Sequence, residues 1–183
     1  MSIVIIVVLL IVVIVVVGFI SISNNLKRLN TSVEQAKADI EIYMVKRYDV
    51  LMNSLNVVKE FVKHEDEVFS KLIEIRKGMN LEELGKQAGI QEEAGRGLVA
   101  LAEAYPELKS QAVFVQLQTQ LEDQNEHYAA AKRAYNSNVS RFNQAVVVFP
   151  NSIVANMQGF KELPFFKDED AAGKQNADIK FGE

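Results

Sequence analysis

The first 26 residues carry no charged side chain, and Ile3–Val17 is an unbroken run of Ile, Val and Leu. Nothing else in the chain restricts its fold as strongly, because such a run has to leave water. Between Ile3 and Ile20 only Gly18 is not a large apolar residue. A helix rises 1.5 Å per residue, so about 20 residues cross a hydrocarbon core roughly 30 Å thick. Ser2–Ile22 meets that length. A cleaved signal peptide would need a basic start, a shorter apolar run and a small-residue cleavage site. Met1-Ser2 has no Lys or Arg, and Ser21-Ile22-Ser23 follows the bulky Phe19 and Ile20. A buried core helix rarely shows β-branched apolar residues on every face. Residues 1–23 therefore read as an uncleaved transmembrane anchor whose partner is the lipid bilayer. Lys27 and Arg28 are the first charges and follow the span directly. The positive-inside rule then predicts a single pass, an N-terminus outside and a cytoplasmic remainder.

Without Met1–Ile22 the chain is roughly 44% apolar, ordinary for a soluble domain. About 160 residues suffice for one core. The absence of Cys rules out a disulfide scaffold and thiolate or redox chemistry. Lys+Arg 20 against Asp+Glu 24 argues against a polybasic nucleic-acid module, so no nucleic-acid partner is expected.

From Leu26 onward apolar residues recur in steps of three and four. Leu26, Leu29, Val33, Ala36, Ile40 and Tyr43 lead to Val50, Val57 or Val58, Phe61, Val68, Leu72 and Ile75. This is the pattern of a helix meeting partners along one seam. No Pro or Gly interrupts Phe19–Lys77, so the anchor is predicted to run straight into this helix, which ends near Gly78 and Asn80. Leu81–Tyr105 reads as a weaker second helix. Gly85, Gly89, Gly95 and Gly97 each cost it up to about 1 kcal/mol relative to Ala, so an irregular or mobile segment is expected. Pro106 fits the first turn of a third helix running to Phe149, with Tyr128, Tyr135, Phe142 and Phe149 every seventh residue as a core stripe. Asn151-Ser152 is placed to cap a short fourth helix ending at Gly159. The two long helices, about 65–75 Å each, suggest an antiparallel pair. Past Pro164 the composition turns polar and reads as a flexible tail, in which Phe165, Phe166, Ile179 and Phe181 are candidates for docking.

Little in the chain promises catalysis. Glu60–His64 and Asp123–His127 each place a carboxylate and an imidazole on one helix face. A di-metal bundle needs Glu-x-x-His spacing and two further inward carboxylates, so no metal site is expected. There is no Gly-x-Ser-x-Gly elbow, and Gly95-Arg96-Gly97 lacks what a phosphate loop requires. The expectation is no enzyme, no catalytic residue and no cofactor. Three polar residues interrupt the first seam: Arg47, Ser54 and Glu65. Arg47 either snorkels to water or forms a buried pair fixing register, with Glu122 or Glu126 as partner.

Several segments together are similar to one family. They are Lys46-Arg47-Tyr48-Asp49-Val50-Leu51, Val57-Val58-Lys59-Glu60-Phe61, Ala104-Tyr105-Pro106-Glu107-Leu108-Lys109, Ala131-Lys132-Arg133-Ala134-Tyr135-Asn136, Arg141-Phe142-Asn143 and Phe149-Pro150-Asn151. In this order they resemble the LemA family of bacterial membrane proteins, over roughly residues 24–166 and with the anchor in place. The resemblance implies a helical bundle on a single-pass anchor in the bacterial cytoplasmic membrane. It does not imply an enzyme.

The expected architecture is all-α: an anchor over 1–23, a coiled-coil-like antiparallel bundle over 24–163 and a polar tail over 164–183. The expected role is a membrane-anchored interaction or scaffold protein. Leu26, Leu29 and Val33 would form an apolar stripe close to the membrane with little intramolecular cover, favouring a homo-oligomer alongside other protein partners. The alternatives are a sensor binding a small ligand between helices and, weakest, a metal-dependent enzyme.

Overall fold

A computed structural model of the chain describes residues 1–59 and 80–167. Among the described residues the regular structure is entirely helical: α1 (Ser2–Val58), α2 (Leu81–Ala104), α3 (Pro106–Lys109), α4 (Ala112–Val147) and α5 (Asn151–Gln158). The helix that begins in the apolar run continues without a break into the amphipathic part, as the absence of Pro and Gly beyond Phe19 predicts. The predicted end near Gly78, together with Glu60, His64, Glu65 and the tail from Asp168, lies outside the described residues.

The helices distribute over two compact units. The first comprises Met1–Lys37 and Ala134–Phe165. Ile3–Val17 is exposed on every face of α1. Beyond it, Leu26, Val33 and Ala36 are buried, as are Tyr135, Val139 and Phe142 of α4 and Val154 and Ala155 of α5. Polar contacts fix the register. Asn138 Nδ2 donates to the Ser32 carbonyl at 3.2 Å, and Gln158 Nε2 donates to Ser23 Oγ. Gly159 ends α5 with φ of 75°, the left-handed conformation glycine adopts cheaply. The chain then turns back along α4. Phe160 packs edge-on to Phe142, ring centroids 5.7 Å apart. Asn143 holds Leu163 at both backbone groups, donating to its carbonyl at 2.9 Å and accepting from its N–H at 2.8 Å. Tyr135 donates its hydroxyl proton to the Pro164 carbonyl at 3.1 Å.

The second unit comprises Ala38–Arg133 and the chain from Phe166 onward. Its core joins Leu51, Leu55 and Val58 of α1 to Ala94, Leu98 and Leu101 of α2, Leu108 of α3, and Phe114 and Leu121 of α4. In this unit α1 and α4 are antiparallel: Tyr43 stacks on His127, while Leu51–Val58 share their core with Phe114 and Leu121.

Four local expectations need correcting. From Ile40 onward the buried residues of α1 are Ile40, Met44, Arg47, Leu51, Ser54, Leu55 and Val58; Tyr43 and Val50 are only half-buried. A step of four after Ile40 puts the seam on Met44 and Leu51 instead of Tyr43 and Val50, and of the expected pair Val57 or Val58 it is Val58 that is buried. The second helix is regular, not irregular. Asn80 caps it reciprocally with Glu83, Oδ1 accepting from the Glu83 N–H at 2.9 Å and Glu83 Oε2 from the Asn80 N–H at 2.8 Å. One of its glycines serves close approach: a Cβ on Gly85 would stand 2.9 Å from the Lys167 carbonyl oxygen. The third helix does not run from Pro106 to Phe149. It breaks at Ser110-Gln111, where Ser110 Oγ donates to the Glu107 carbonyl at 2.9 Å and offers the backbone an alternative to helix. On an unbroken helix Leu108 and Phe114 would point about 120° apart; the break lets both enter the core. Finally, Pro150 rather than Asn151 stands at the N-cap of α5, with no side-chain cap hydrogen bond.

Candidate functional site

In the second unit, side chains from α1, α2 and α4 leave a cavity of about 460 Å³. Arg47 and Ser54 reach it from α1, Glu92 and Arg96 from α2, and Phe114, Leu121, Glu122 and Asn125 from α4. A second cavity of about 280 Å³ shares Arg47, Glu92 and Asn125 and adds Tyr128 and Lys132. Both volumes are near or within the range of small-molecule sites. The walls mix an apolar floor with charges of both signs. Arg96 Nη1 lies 3.5 Å from Glu92 Oε1, an exposed pair one helical turn apart.

Arg47 is the buried charge of this region, 6% exposed. It occupies a seam position, which a helix interior would normally give to an apolar residue. Its guanidinium lies over the Tyr128 ring, 5.7 Å from the centroid, and Lys132 Nζ approaches the same ring at 4.9 Å. The snorkelling alternative is thus overturned: the Arg47 side chain stays inside. Of the two partners expected for it, Glu122 shares the cavity wall and Glu126 is exposed. Ser54 is buried, and its hydroxyl donates to the Val50 carbonyl of its own helix at 2.8 Å. It needs no partner across the seam.

The expected interaction stripe is placed differently. Leu26 is 0% exposed, Val33 is 2% exposed, and Leu29 is half-buried. The chain covers them itself, in the unit that holds α4 and α5 against α1. The sequence leaves open a fold-back of the chain end through Phe160, Phe165 and Phe166 as the alternative cover; in the structure Phe160 does fold back, onto Phe142, while Phe165 stays exposed. Leu26 and Val33 thus lack the exposure from which self-association through this stripe is expected.

Of the two carboxylate–imidazole pairs, Asp123–His127 is described. His127 Nε2 is 3.5 Å from Asp123 Oδ1, both side chains are exposed, and the ring stacks on Tyr43 at 5.1 Å. Sequence reasoning missed two buried glutamines of α2. Gln91 is fully buried and donates through Nε2 to the Met44 carbonyl at 3.1 Å, while Gln87 is 6% exposed. Their place in the series Leu84, Gln87, Ala88, Gln91, Ala94 was the available signal. Glutamine's polar character hid it.

The sequence model of the LemA family matches residues 36–181, which takes in the later part of α1 and the chain after it to residue 181. The chain belongs to the LemA family. Among curated proteins it is similar to Protein LemA of Metamycoplasma hominis, 23% identical over 154 residues, covering 81% of this chain and 70% of that protein. It is also similar to magnetosome protein MamQ of Magnetospirillum gryphiswaldense, 27% identical over 170 residues, covering 75% of this chain and 62% of that protein. Magnetosome protein MamQ 2 of Paramagnetospirillum magneticum is 28% identical over 188 residues, covering 82% and 68%. The chain thus spans less than two thirds of the M. gryphiswaldense protein. Arg47, Tyr128 and the Asn143 clamp all fall inside the LemA-matched region, whereas the apolar start of α1 lies before it.

Proposed function

We propose that this LemA-family chain is a membrane-tethered helical interaction protein, held in a bacterial cytoplasmic membrane by residues 1–23 with its bundle on the cytoplasmic side. The observation that carries this reading is the first third of α1. Its apolar side chains are exposed all round and belong to the same unbroken helix whose next turns are buried in the bundle. In water that surface is expensive; in a bilayer it is the favoured one. Lys27 and Arg28 at its exit support the cytoplasmic orientation. The role is one of binding rather than catalysis. His127 is engaged with Tyr43 and Asp123 on the surface, and its surroundings resemble a solvated helix face more than a reaction centre. Alkaline carbonate extraction of membranes from cells making the full chain tests the tether. The chain should stay with the sedimented membranes, and release into the supernatant would overturn the reading.

A second reading, a small ligand held between helices, is favoured by the cavity beside Arg47 and Glu92. Filling it with Leu121→Trp should abolish ligand-induced thermal stabilisation of the detergent-solubilised chain while leaving membrane retention intact.

A further inference from the structure

The end of α4, the turn after it and the outer side of α5 expose Val147, Val148, Phe149, Ile153 and Met157, with Phe149 at 77% and Met157 at 70%. Isolated exposed apolar residues are normal, but five so close in the chain are a patch. The sequence around them is equally unusual: no residue from Phe142 through Phe160 is charged. α5 is two-faced, with Val154 and Ala155 buried and Ile153 and Met157, one turn apart, pointing outward.

The register of the first unit says where this patch lies. Asn138 of α4 meets Ser32 of α1. The two helices are antiparallel here. Stepping nine residues toward the anchor along α1 reaches Ser23, and stepping nine forward along α4 reaches Val147, a rise of about 13.5 Å on each. The hydrogen bond from Gln158 to Ser23 brings the end of α5 to the level of Ser23 as well. The apolar run of α1 ends at Ile22. The patch therefore stands beside the point where the anchor ceases to be apolar, and it continues that apolar surface sideways. Lys27 and Arg28 on α1, with Arg141 and Lys161 bracketing the uncharged stretch, are all exposed.

We propose that the α4–α5 turn is a second membrane contact, resting in the interfacial zone of the bilayer from which α1 emerges, with these four cations available to lipid phosphates. The inference rests on the proposed placement of residues 1–23 in a membrane. Continuity with the anchor selects lipid as the occupant, because a bilayer at Ile22 already reaches the level of Val147. Short amphipathic helices lie in this zone with the apolar face toward the acyl chains.

The chain has no Cys, so single cysteines can be labelled cleanly with a fluorophore. The full chain is reconstituted in phosphatidylethanolamine–phosphatidylglycerol vesicles, with and without brominated acyl chains, carrying Phe149→Cys, Met157→Cys, Ile14→Cys or Thr31→Cys. All four positions are exposed in the structure, so the fold is spared. Labels at 149 and 157 should lose emission to the brominated chains, as the label at 14 does, while the label at 31 keeps its emission and is quenched by aqueous iodide. If 14 is quenched by lipid and 149 and 157 behave like 31, the second contact is wrong and the anchor stands. If 14 escapes lipid quenching, the anchor reading falls and the inference with it. If 149 and 157 are shielded from iodide yet not quenched by brominated lipid, a second copy covers the patch and the lipid assignment is overturned.

Discussion

Tyr135 joins burial, a hydrogen bond and a titration in one side chain. Its hydroxyl donates to the Pro164 carbonyl, and the residue is 3% exposed. Burial first, and the Glu34 carboxylate second, push its pKa above the ordinary 10.0. Above pH 10 the unfolded chain has given up this proton while the folded chain retains it. The folded state then binds more protons, and stability falls as pH rises. The contribution is fully present below pH 10 and is lost as pH climbs through the folded value. Tyr135→Phe should cost about 0.5–1.5 kcal/mol at neutral pH, the worth of one hydrogen bond. It should also flatten the alkaline decline, as denaturant unfolding at neutral pH and above pH 10 would show. Phe142, 1% exposed beneath Phe160, answers to a different term. Phe142→Ala should cost about 3–5 kcal/mol, seen as a lower denaturation midpoint at unchanged slope. The seven-residue spacing made Phe142 legible in the sequence. The same spacing misplaced Phe149, because a straight helix drifts about 20° per heptad and α4 ends at Val147. Arg47 was legible only as an interruption of the seam: a buried cation over an aromatic face needs the facing helix to be seen.

At the scale of elements, the returning segment 160–166 has no hydrogen-bonded ladder of its own and depends on what holds it. Asn143 supplies two bonds to Leu163, and Phe160 and Phe166 supply apolar contacts on Phe142 and Tyr128. Asn143→Ala should cost about 1–3 kcal/mol, two net hydrogen bonds. Amide hydrogen exchange should speed up first at Leu163, whose N–H loses its acceptor. The sequence showed that α1 and α4 would be long, since an apolar period persists over many turns. It showed less of α2, where four glycines argued for irregularity. Asn80 reads in the sequence as the end of the first long helix, and its capping of α2 with Glu83 appears only in the structure. What Gly85 accommodates was not legible either, because the Lys167 carbonyl that approaches it comes from 82 residues further along.

For the molecule as a whole, the apolar run was the strongest message in the sequence, since its length alone matches a bilayer. The cover of Leu26 and Val33 was the weakest, since it depends on how α4 and α5 lie against α1, which periodicity does not encode. The proposed orientation has a direct check. Protease added to intact spheroplasts should leave the bundle uncut, and disruption of the membrane should expose it; digestion before disruption would reverse the topology. A further consequence lies in the stiffness of α1. From Phe19 to Val58 it contains neither glycine nor proline, so no hinge separates the anchor from the rest of the first unit. Membrane helices tilt by about 20° on average and tilt further when the bilayer thins. Lys37 stands about 22 Å along the axis from Ile22, so such a tilt carries it sideways by about 8 Å. Asn138 and Gln158 fasten α4 and α5 to the same arm. On the proposed placement, bilayer thickness becomes lateral displacement of the unit outside it, and the helix acts as a mechanical gauge.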